Sequence, residues 1–310
     1  MKRDKARKWT DRQLARMERQ LKKIYGKAKR EVADRWREYM LEVEPEIAGL
    51  EKELAAAQKA NATKRIESLA ARIEARKKEL TIMDIRFGSM VRDLSWQIAH
   101  VNQSALAYLN GETPKIYIVN FNRMKDTADG LGVAFNLVDE HTVSRLITVG
   151  DIKLPQKRLN IIKDMRWNTK QMNSAVLQGI LQGDSMNKIA DRIAVVVGNN
   201  ETAAMRNART MVTGAENRGR LDSMHEMDKK GIIMKKRWLA THDGRTRDWH
   251  LDMDGQEQLL NEPFIDGHGN ELDYPGDPSA SPESVYNCRC SMEEVVVGFR
   301  WEEDGYESYI

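Results

Sequence analysis

The sequence predicts a mainly α protein, with long N-terminal helices and a helical hairpin, closed by a small loop-rich α+β C-terminal domain. Three observations predict it. Apolar residues recur at three- and four-residue spacing through most of the first 230 positions, the period of a helix with one buried face. Glycine, proline, aspartate and asparagine dominate 254–287, where long loops are expected. Short runs suited to strands, "IIMKKRWL" and "EEVVVGFRWEE", stand on either side of that stretch. At 310 residues, 41% hydrophobic and 31% charged, the chain exceeds one small core and fits a folded, helix-rich protein.

In chain order, residues 10–43 carry Leu14, Met17, Leu21, Ile24 and Tyr25, then Val32, Trp36, Tyr39, Met40 and Val43, as one helical stripe. Pro45, tolerated in a first turn, restarts a helix with Ile47, Leu50, Leu54 and Ala57. "QKANATK" breaks the phase. Ile66, Leu69, Ile73, Leu80, Met83, Phe87, Met90 and Leu94 then form a heptad-like seam with Arg76 in one seam position. The pair predicts an antiparallel hairpin over about 45–98, or an ordinary amphipathic pair packed on the body; neither carries chemistry. Helix continues through "SWQIAHVNQSALAYLNG" to Gly111. "PKIYIVNFN" at 114–122, β-branched and aromatic after a proline, predicts a short strand or extended link.

"DEHTVSRLITVG" predicts a capped helix over 139–150 ending at Gly150, and "IKLPQKRLN" a linker extended by Pro155. Residues 164–197 predict two amphipathic helices, one lined by Trp167, Met172, Val176, Ile180 and Leu181. "QGDS" separates it from a second, capped by Ser185 and facing inward through Ile189, Ile193 and Val196. A long helix with a polar, small-residue face follows over 198–227 and ends by Gly231. The expected domains are a basic arm and hairpin over 1–113, a link and short helix over 114–163, and a C-terminal domain over 164–310. That last domain comprises helices over 164–230 and loop-rich α+β structure over 231–303.

No run approaches the apolar length of a membrane span, and no apolar core follows the basic start, so neither a membrane protein nor a secretory signal is expected. The only cysteines, Cys288 and Cys290, stand one residue apart; a disulfide there would close almost no loop, which excludes a disulfide scaffold and favours an intracellular protein. Charge is polarised. Residues 1–30 hold 13 Lys/Arg against 3 Asp/Glu, while 241–310 hold 4 against 17. Lys5, Arg7, Lys8, Arg12, Arg16, Arg19, Lys22 and Lys23 are therefore candidates to bind DNA or an acidic partner surface; the alternative is a solvated helix face.

Chemistry-bearing residues concentrate between 206 and 290. "NCRC" offers two thiols, and "THDGRTRDWH" supplies His242, Asp243 and His250, so a tetrahedral zinc site drawn from His250, Cys288, Cys290, His242 and Asp243 is one candidate. The spacing is not that of a common zinc finger, and convergence depends on the fold. A nucleophilic cysteine with His250 as base and Asp243 or Asp252 as orienting group is another. Arg209, Thr210, Thr213, Glu216 and Asn217 share helix faces and form either a binding surface or an anchor for loops. No phosphate-cradling glycine motif is present, and no small-molecule substrate is predicted.

"KKRWLATHDGRTRDWHLDMDGQ", then "PF", then "YPGDPSASPESVYNCRC" resemble the C-terminal region of the phage head-morphogenesis family, the Mu F-like minor capsid proteins. "RWNTKQMNSAVLQGILQGDSMNKIADRI", "RNARTMVTGAENRGRLDSM" and "ALAYLNGETPKIYIVNFN" extend the resemblance over roughly 100–295. It implies a non-enzymatic minor head protein of a tailed phage or prophage, made in the bacterial host cytoplasm and carried in the procapsid or virion head. Its implied partners are the portal, scaffold or major capsid protein, with roles in assembly, DNA packaging or ejection. The family's characteristic positions fall on Arg209, Thr210, Glu216, Asn217, Trp238, Asp243, Arg245, Arg247, His250, Gly255, Cys288 and Cys290. The acidic member falls later than the family pattern, at Glu216. Some relatives carry toxin domains after this region; none is expected here. The rival readings are a metal- or thiol-dependent hydrolase built on His250, Cys288 and Cys290, and a DNA-binding module using the basic N-terminal helix.

Overall fold

The computed structural model describes residues 4–82, 85–300 and 307–309. They form a mainly α protein with a small sheet-containing C-terminal region, as the periodicity predicts. The helices are α1 (Lys5–Lys59), α2 (Thr63–Ile82), α3 (Ile85–Asn122), α4 (Met124–Gly130), α5 (Glu140–Val149), α6 (Ile161–Leu181) and α7 (Met186–Asp228). Then come β1 (Ile232–Leu239), α8 (Asp248–Leu251), β2 (Glu257–Leu259), β3 (Phe264–Ile265), β4 (Glu271–Leu272), α9 (Pro282–Val285), β5 (Ser291–Arg300) and β6 (Glu307–Tyr309). The contacts group into two units that are not linear segments: residues 1–19, 106–157 and 205–310 form one, and 20–105 with 158–204 the other.

In the second unit, Trp36 and Tyr39 of α1 meet Phe87 of α3, with Trp36 edge-on to Phe87 at 6.4 Å between ring centroids. α1 runs unbroken through Pro45 rather than restarting there, because Ile47 continues the buried stripe of Trp36, Tyr39 and Met40 in phase. The hairpin turn at "KANA" uses Asn61 in the left-handed region (φ 51°), a conformation asparagine tolerates. An ion pair from Lys77 to Glu51 (3.1 Å) links the two arms. The returning arm carries α2 and the start of α3 on either side of residues 83–84, which, with Met83 of the predicted seam, lie outside the described residues.

A buried polar chain crosses this unit. Tyr25 donates to Asn102 (2.7 Å), Asn102 to Asn200 (2.7 Å) and Asp164 (2.8 Å), and Asn200 to Asn168 (2.9 Å). Burial pushes both the Tyr25 hydroxyl and the Asp164 carboxyl up. On α6, Met172, Val176 and Ile180 are buried as expected, but Trp167 and Leu181 are 42% and 59% exposed; Asn168 takes the inward position instead. Ser185 caps α7 through Lys188 N–H (3.4 Å). α7 does not break near Gly198: Val197, Asn200, Ala204 and Ala208 carry the stripe of Ile193 forward in phase, giving one helix of 43 residues.

In the first unit, "PKIYIVNFN" is helix rather than strand, and α3 passes Gly111 and Pro114 to Asn122. Its side chains explain the override of β propensity: Leu109, Thr113, Ile116, Tyr117, Asn120 and Phe121 are all buried at helical spacing. The α3 backbone also lies hard against α7, where a Cβ on Gly219 would stand 2.5 Å from the Tyr117 carbonyl oxygen. α5 is capped as predicted, with Asp139 accepting from Thr142 N–H and Gly150 left-handed at its end (φ 88°).

The main sheet has the order β2-β1-β5-β6, every neighbour antiparallel, with a register shift at Ile233/Met234 in the β1–β5 ladder. β3 and β4 pair separately. Trp238 is fully buried, edge-on to Phe264 (5.3 Å) and His250 (5.5 Å). Lys236 is also buried, its Nζ donating to the Asp273 carbonyl (2.8 Å) and lying over the Phe264 ring (5.1 Å). That desolvation draws its ammonium down to about 8.

Candidate metal centre and the polar clamp that holds it

The segment 287–292, "NCRCSM", leaves a turn at Asn287, which is left-handed (φ 60°), and runs directly into β5. Its peptide groups need partners, and α7 supplies them at three- and four-residue steps. Thr210 accepts from Asn287 N–H (2.9 Å), and Thr213 donates to the Cys288 carbonyl (2.7 Å). Asn217 accepts from Met292 N–H (3.0 Å) and donates to the Cys290 (3.3 Å) and Pro275 (3.1 Å) carbonyls. One turn on, Arg220 donates to the Met292 carbonyl (3.1 Å). From the other side, Thr241 (2.6 Å) and Arg7 (2.7 Å) both donate to the Arg289 carbonyl.

Close backbone approach makes the clamp possible. A Cβ at Gly214 would stand 2.7 Å from the Gly276 carbonyl oxygen and 2.5 Å from Pro155, and Gly276 itself is left-handed at φ 82°. The family-motif residues Thr210, Glu216 and Asn217 are thus anchors for the loop rather than an open surface.

Glu216 is buried and fully engaged. It takes an ion pair from Arg7, a second from Arg220 (3.3 Å) and a hydrogen bond from Ser291 (3.2 Å). Arg220 also pairs with Asp4 (2.9 Å), which draws that carboxyl below the ordinary range against the cost of its burial. Arg209 lies apart from Glu216, bonded to Glu18 (2.8 Å) and to Asn287 (3.4 Å). Arg220 and Arg7 are members of the clamp that motif inspection did not single out. Arg220 continues the Thr213–Asn217 spacing by one helical step, a signal present in the sequence; nothing local marks Arg7 as inward-facing.

The clamp fixes where the two thiols point. Cys288 and Cys290 are both buried, and between them lies His250 of α8, also buried. His250 Nδ1 stands 3.7 Å from Cys288 Sγ and 3.6 Å from Cys290 Sγ, and all three donor atoms lie within 4.8 Å of one another. Cys290 N–H also points at Cys288 Sγ (3.4 Å). The hydrogen bond from Cys288, helped by His250, holds Cys290 below the usual thiol range despite burial; the same bond, reinforced by burial, pushes Cys288 up. His250, Cys288 and Cys290 are therefore the residues able to hold a thiophilic metal.

The other candidates fall elsewhere. His242 bonds to Asp254 (2.8 Å) and is exposed. Asp243 takes an ion pair from Arg289, whose guanidinium holds the carboxyl far below its ordinary range. Both are committed to the turn that carries "HDGRTR", so neither joins the thiols. Arg245 faces Asp243 at 3.6 Å, and Arg247 donates to the Tyr286 carbonyl (2.5 Å). Among the described residues His250 Nε2 has no protein partner, so neither Asp243 nor Asp252 orients the ring as a general base would require.

Of the basic N-terminal candidates, Lys5, Lys8, Arg12, Arg16, Arg19, Lys22 and Lys23 are exposed, at spacings that keep most of them along one side of α1. Arg7 is turned inward to Glu216 and is not part of that stripe.

Residues 170–293 match the family described as Phage Mu protein F like protein. The chain is 24% identical over 234 residues to the minor head protein GP7 of Bacillus phage SPP1, covering 71% of this chain and 73% of that protein. It is 33% identical over 130 residues to the NAD(+)--arginine ADP-ribosyltransferase EFV of Enterococcus faecalis (strain ATCC 700802 / V583), covering 42% of this chain but only 26% of that much longer protein. No solved structure matches.

Proposed function

Over residues 170–293 the chain is a member of the Phage Mu protein F like family, and from that premise we propose that it is a minor head protein acting by binding during capsid assembly at the portal vertex. The likeness to the SPP1 minor head protein, which extends over 234 residues, supports this. The observation that carries the binding role is the exposed basic side of α1. Seven cations from Lys5 to Lys23 stand in solvent there, on a helix whose opposite side is buried through Met17, Leu21 and Tyr25. A row of cations along one helix suits an acidic protein surface and steers its approach. In this reading the protein is made in the host cytoplasm, joins the portal, scaffold or major capsid protein, and stays with the procapsid and head.

No catalytic role is assigned. The thiols and His250 are buried, the peptide groups around them are taken by the α7 clamp, and the ring lacks an orienting carboxylate among the described residues. A second reading, DNA contact during packaging or ejection, draws on the same cations.

One experiment separates them. Arg12, Arg16 and Arg19 are replaced together by Glu, and capture of the purified portal, scaffold and capsid proteins of the same phage is compared with capture of duplex DNA. The expected result is loss of portal capture by about tenfold or more with the fold unchanged. Unchanged capture of all three proteins overturns the binding assignment. DNA affinity that falls steeply with salt in the original chain and disappears in the variant, with portal capture intact, selects the second reading.

A further inference from the structure

We propose that His250 Nδ1, Cys288 Sγ and Cys290 Sγ bind one zinc ion, which fastens α8 to the entrance of β5. Three independent features carry this. The first is geometry. Zinc holds thiolate sulfur at about 2.3 Å and imidazole nitrogen at about 2.0–2.1 Å, so tetrahedral ligation sets sulfur and nitrogen about 3.5 Å apart. The two separations here are 3.6 and 3.7 Å. They are nearly equal, so one nitrogen faces both sulfurs at once. A single Nδ1 lone pair can accept only one S–H, whereas a cation at the centre satisfies all three donors.

The second feature is rigidity of placement. The α7 clamp fixes Cys288 and Cys290 through their carbonyls, with Thr213 holding one and Asn217 the other. His250 is wedged edge-on between Trp238 (5.5 Å) and Trp249 (6.3 Å). The donors are therefore held together by contacts that do not involve one another, which is preorganisation of a site. The third is the surroundings. The backbone N–H of Cys290 points at Cys288 Sγ (3.4 Å), the kind of outer contact that supports a metal-bound thiolate.

The donor set is soft, N and S only, which selects zinc over calcium or magnesium. Two thiolates and a neutral imidazole cancel the charge of a divalent ion, so burial of the assembly is electrostatically acceptable. Among the described residues no fourth His, Cys, Asp or Glu joins the three, so a water from solvent would have to supply the fourth donor. Three protein ligands with an outside donor complete a tetrahedron. The loops from 240 to 287 contain only short elements, and the ion would tie their two ends together.

The test uses the full chain, purified, loaded with zinc and freed of excess. Elemental analysis is expected to give about one zinc per chain, falling below about a tenth in Cys288→Ser/Cys290→Ser. Cobalt replacement is expected to give the strong visible bands of tetrahedral ligation and a near-ultraviolet thiolate charge-transfer band, with the visible bands altered in His250→Ala. Should the variants fail to fold, thiol accessibility decides on the original chain: zinc should slow the reaction of both cysteines with a thiol reagent. Folded chain that takes up less than about a tenth of an equivalent of zinc, or zinc content unchanged in the double serine variant, overturns the proposal.

Discussion

At the scale of single residues, some buried polar side chains are fully paired while others, among them Trp238 Nε1, Trp249 Nε1 and His250 Nε2, have no hydrogen-bond partner among the described residues. Asn217 is the clearest case of pairing: its amide and carbonyl serve three backbone groups of the loop-rich region and one of its own helix. Lys236 is less fully served, with one carbonyl and one aromatic face in place of water. Its ammonium titrates near 8 in the folded chain and near the ordinary lysine value when unfolded. Between those values the unfolded state binds more protons, so stability rises with pH there, by up to about 1.4 kcal/mol per pH unit. Below pH 8 both states are charged and the burial penalty is fully present. Urea unfolding between pH 7.5 and pH 10 should therefore show an alkaline rise that is absent in Lys236→Met; equal slopes in the two proteins would refute this account of the group.

At the scale of elements, helical glycines divide into two kinds. Gly219 lies against α3 backbone, where an added Cβ meets the Tyr117 carbonyl oxygen at 2.5 Å and the Phe121 nitrogen at 3.1 Å, neither of which can swing aside. Gly111 faces open space within α3. Alanine at Gly111 should stabilise by about 0.5–1 kcal/mol through helix propensity. Alanine at Gly219 should destabilise by about 1–3 kcal/mol or more, because overpacking exceeds that gain. Opposite shifts of the unfolding midpoint are the expected outcome; a stabilised Gly219→Ala would mean the α3–α7 approach is looser than described. The same approach explains why "PKIYIVNFN" is helix. Its β-branched residues match a strand locally, but burial of Ile116, Tyr117 and Phe121 on one side outweighs that preference.

At the scale of the whole molecule, the basic N-terminus is not an appendage. Ala6, Thr10 and Met17 are buried, and Arg7 and Asp4 pair with Glu216 and Arg220 of α7. Removing residues 1–19 should strip Glu216 of a buried partner, a loss of about 3–5 kcal/mol before the lost apolar packing is counted. Hydrogen exchange in the truncated chain should show lost protection over 205–300, while the Arg12, Arg16 and Arg19 charge reversal leaves it intact. Full protection in the truncated chain would show that the arm is dispensable to the fold. Loss of partner binding after truncation is consequently no evidence about the cations, which is why side-chain replacement is the informative route.

Periodicity by itself determined the helical stripes, the Asp139 cap, the turns at Gly150 and Gly231, and the α+β character of the end, because each depends on neighbours within a few residues. It determined the presence of a histidine and two thiols, and the spacing of Thr213 and Asn217 along one helix. Only the tertiary structure decided that His250, and not His242 or Asp243, meets the thiols, since that choice depends on folding the chain back between His250 and Cys288, 38 positions apart. It also decided that α1, α3 and α7 continue through Pro45, Pro114 and Gly198, because burial on one side of a long helix outweighs a local break. And it turned Arg7 inward while leaving its basic neighbours in solvent, a distinction made by a glutamate 209 positions away.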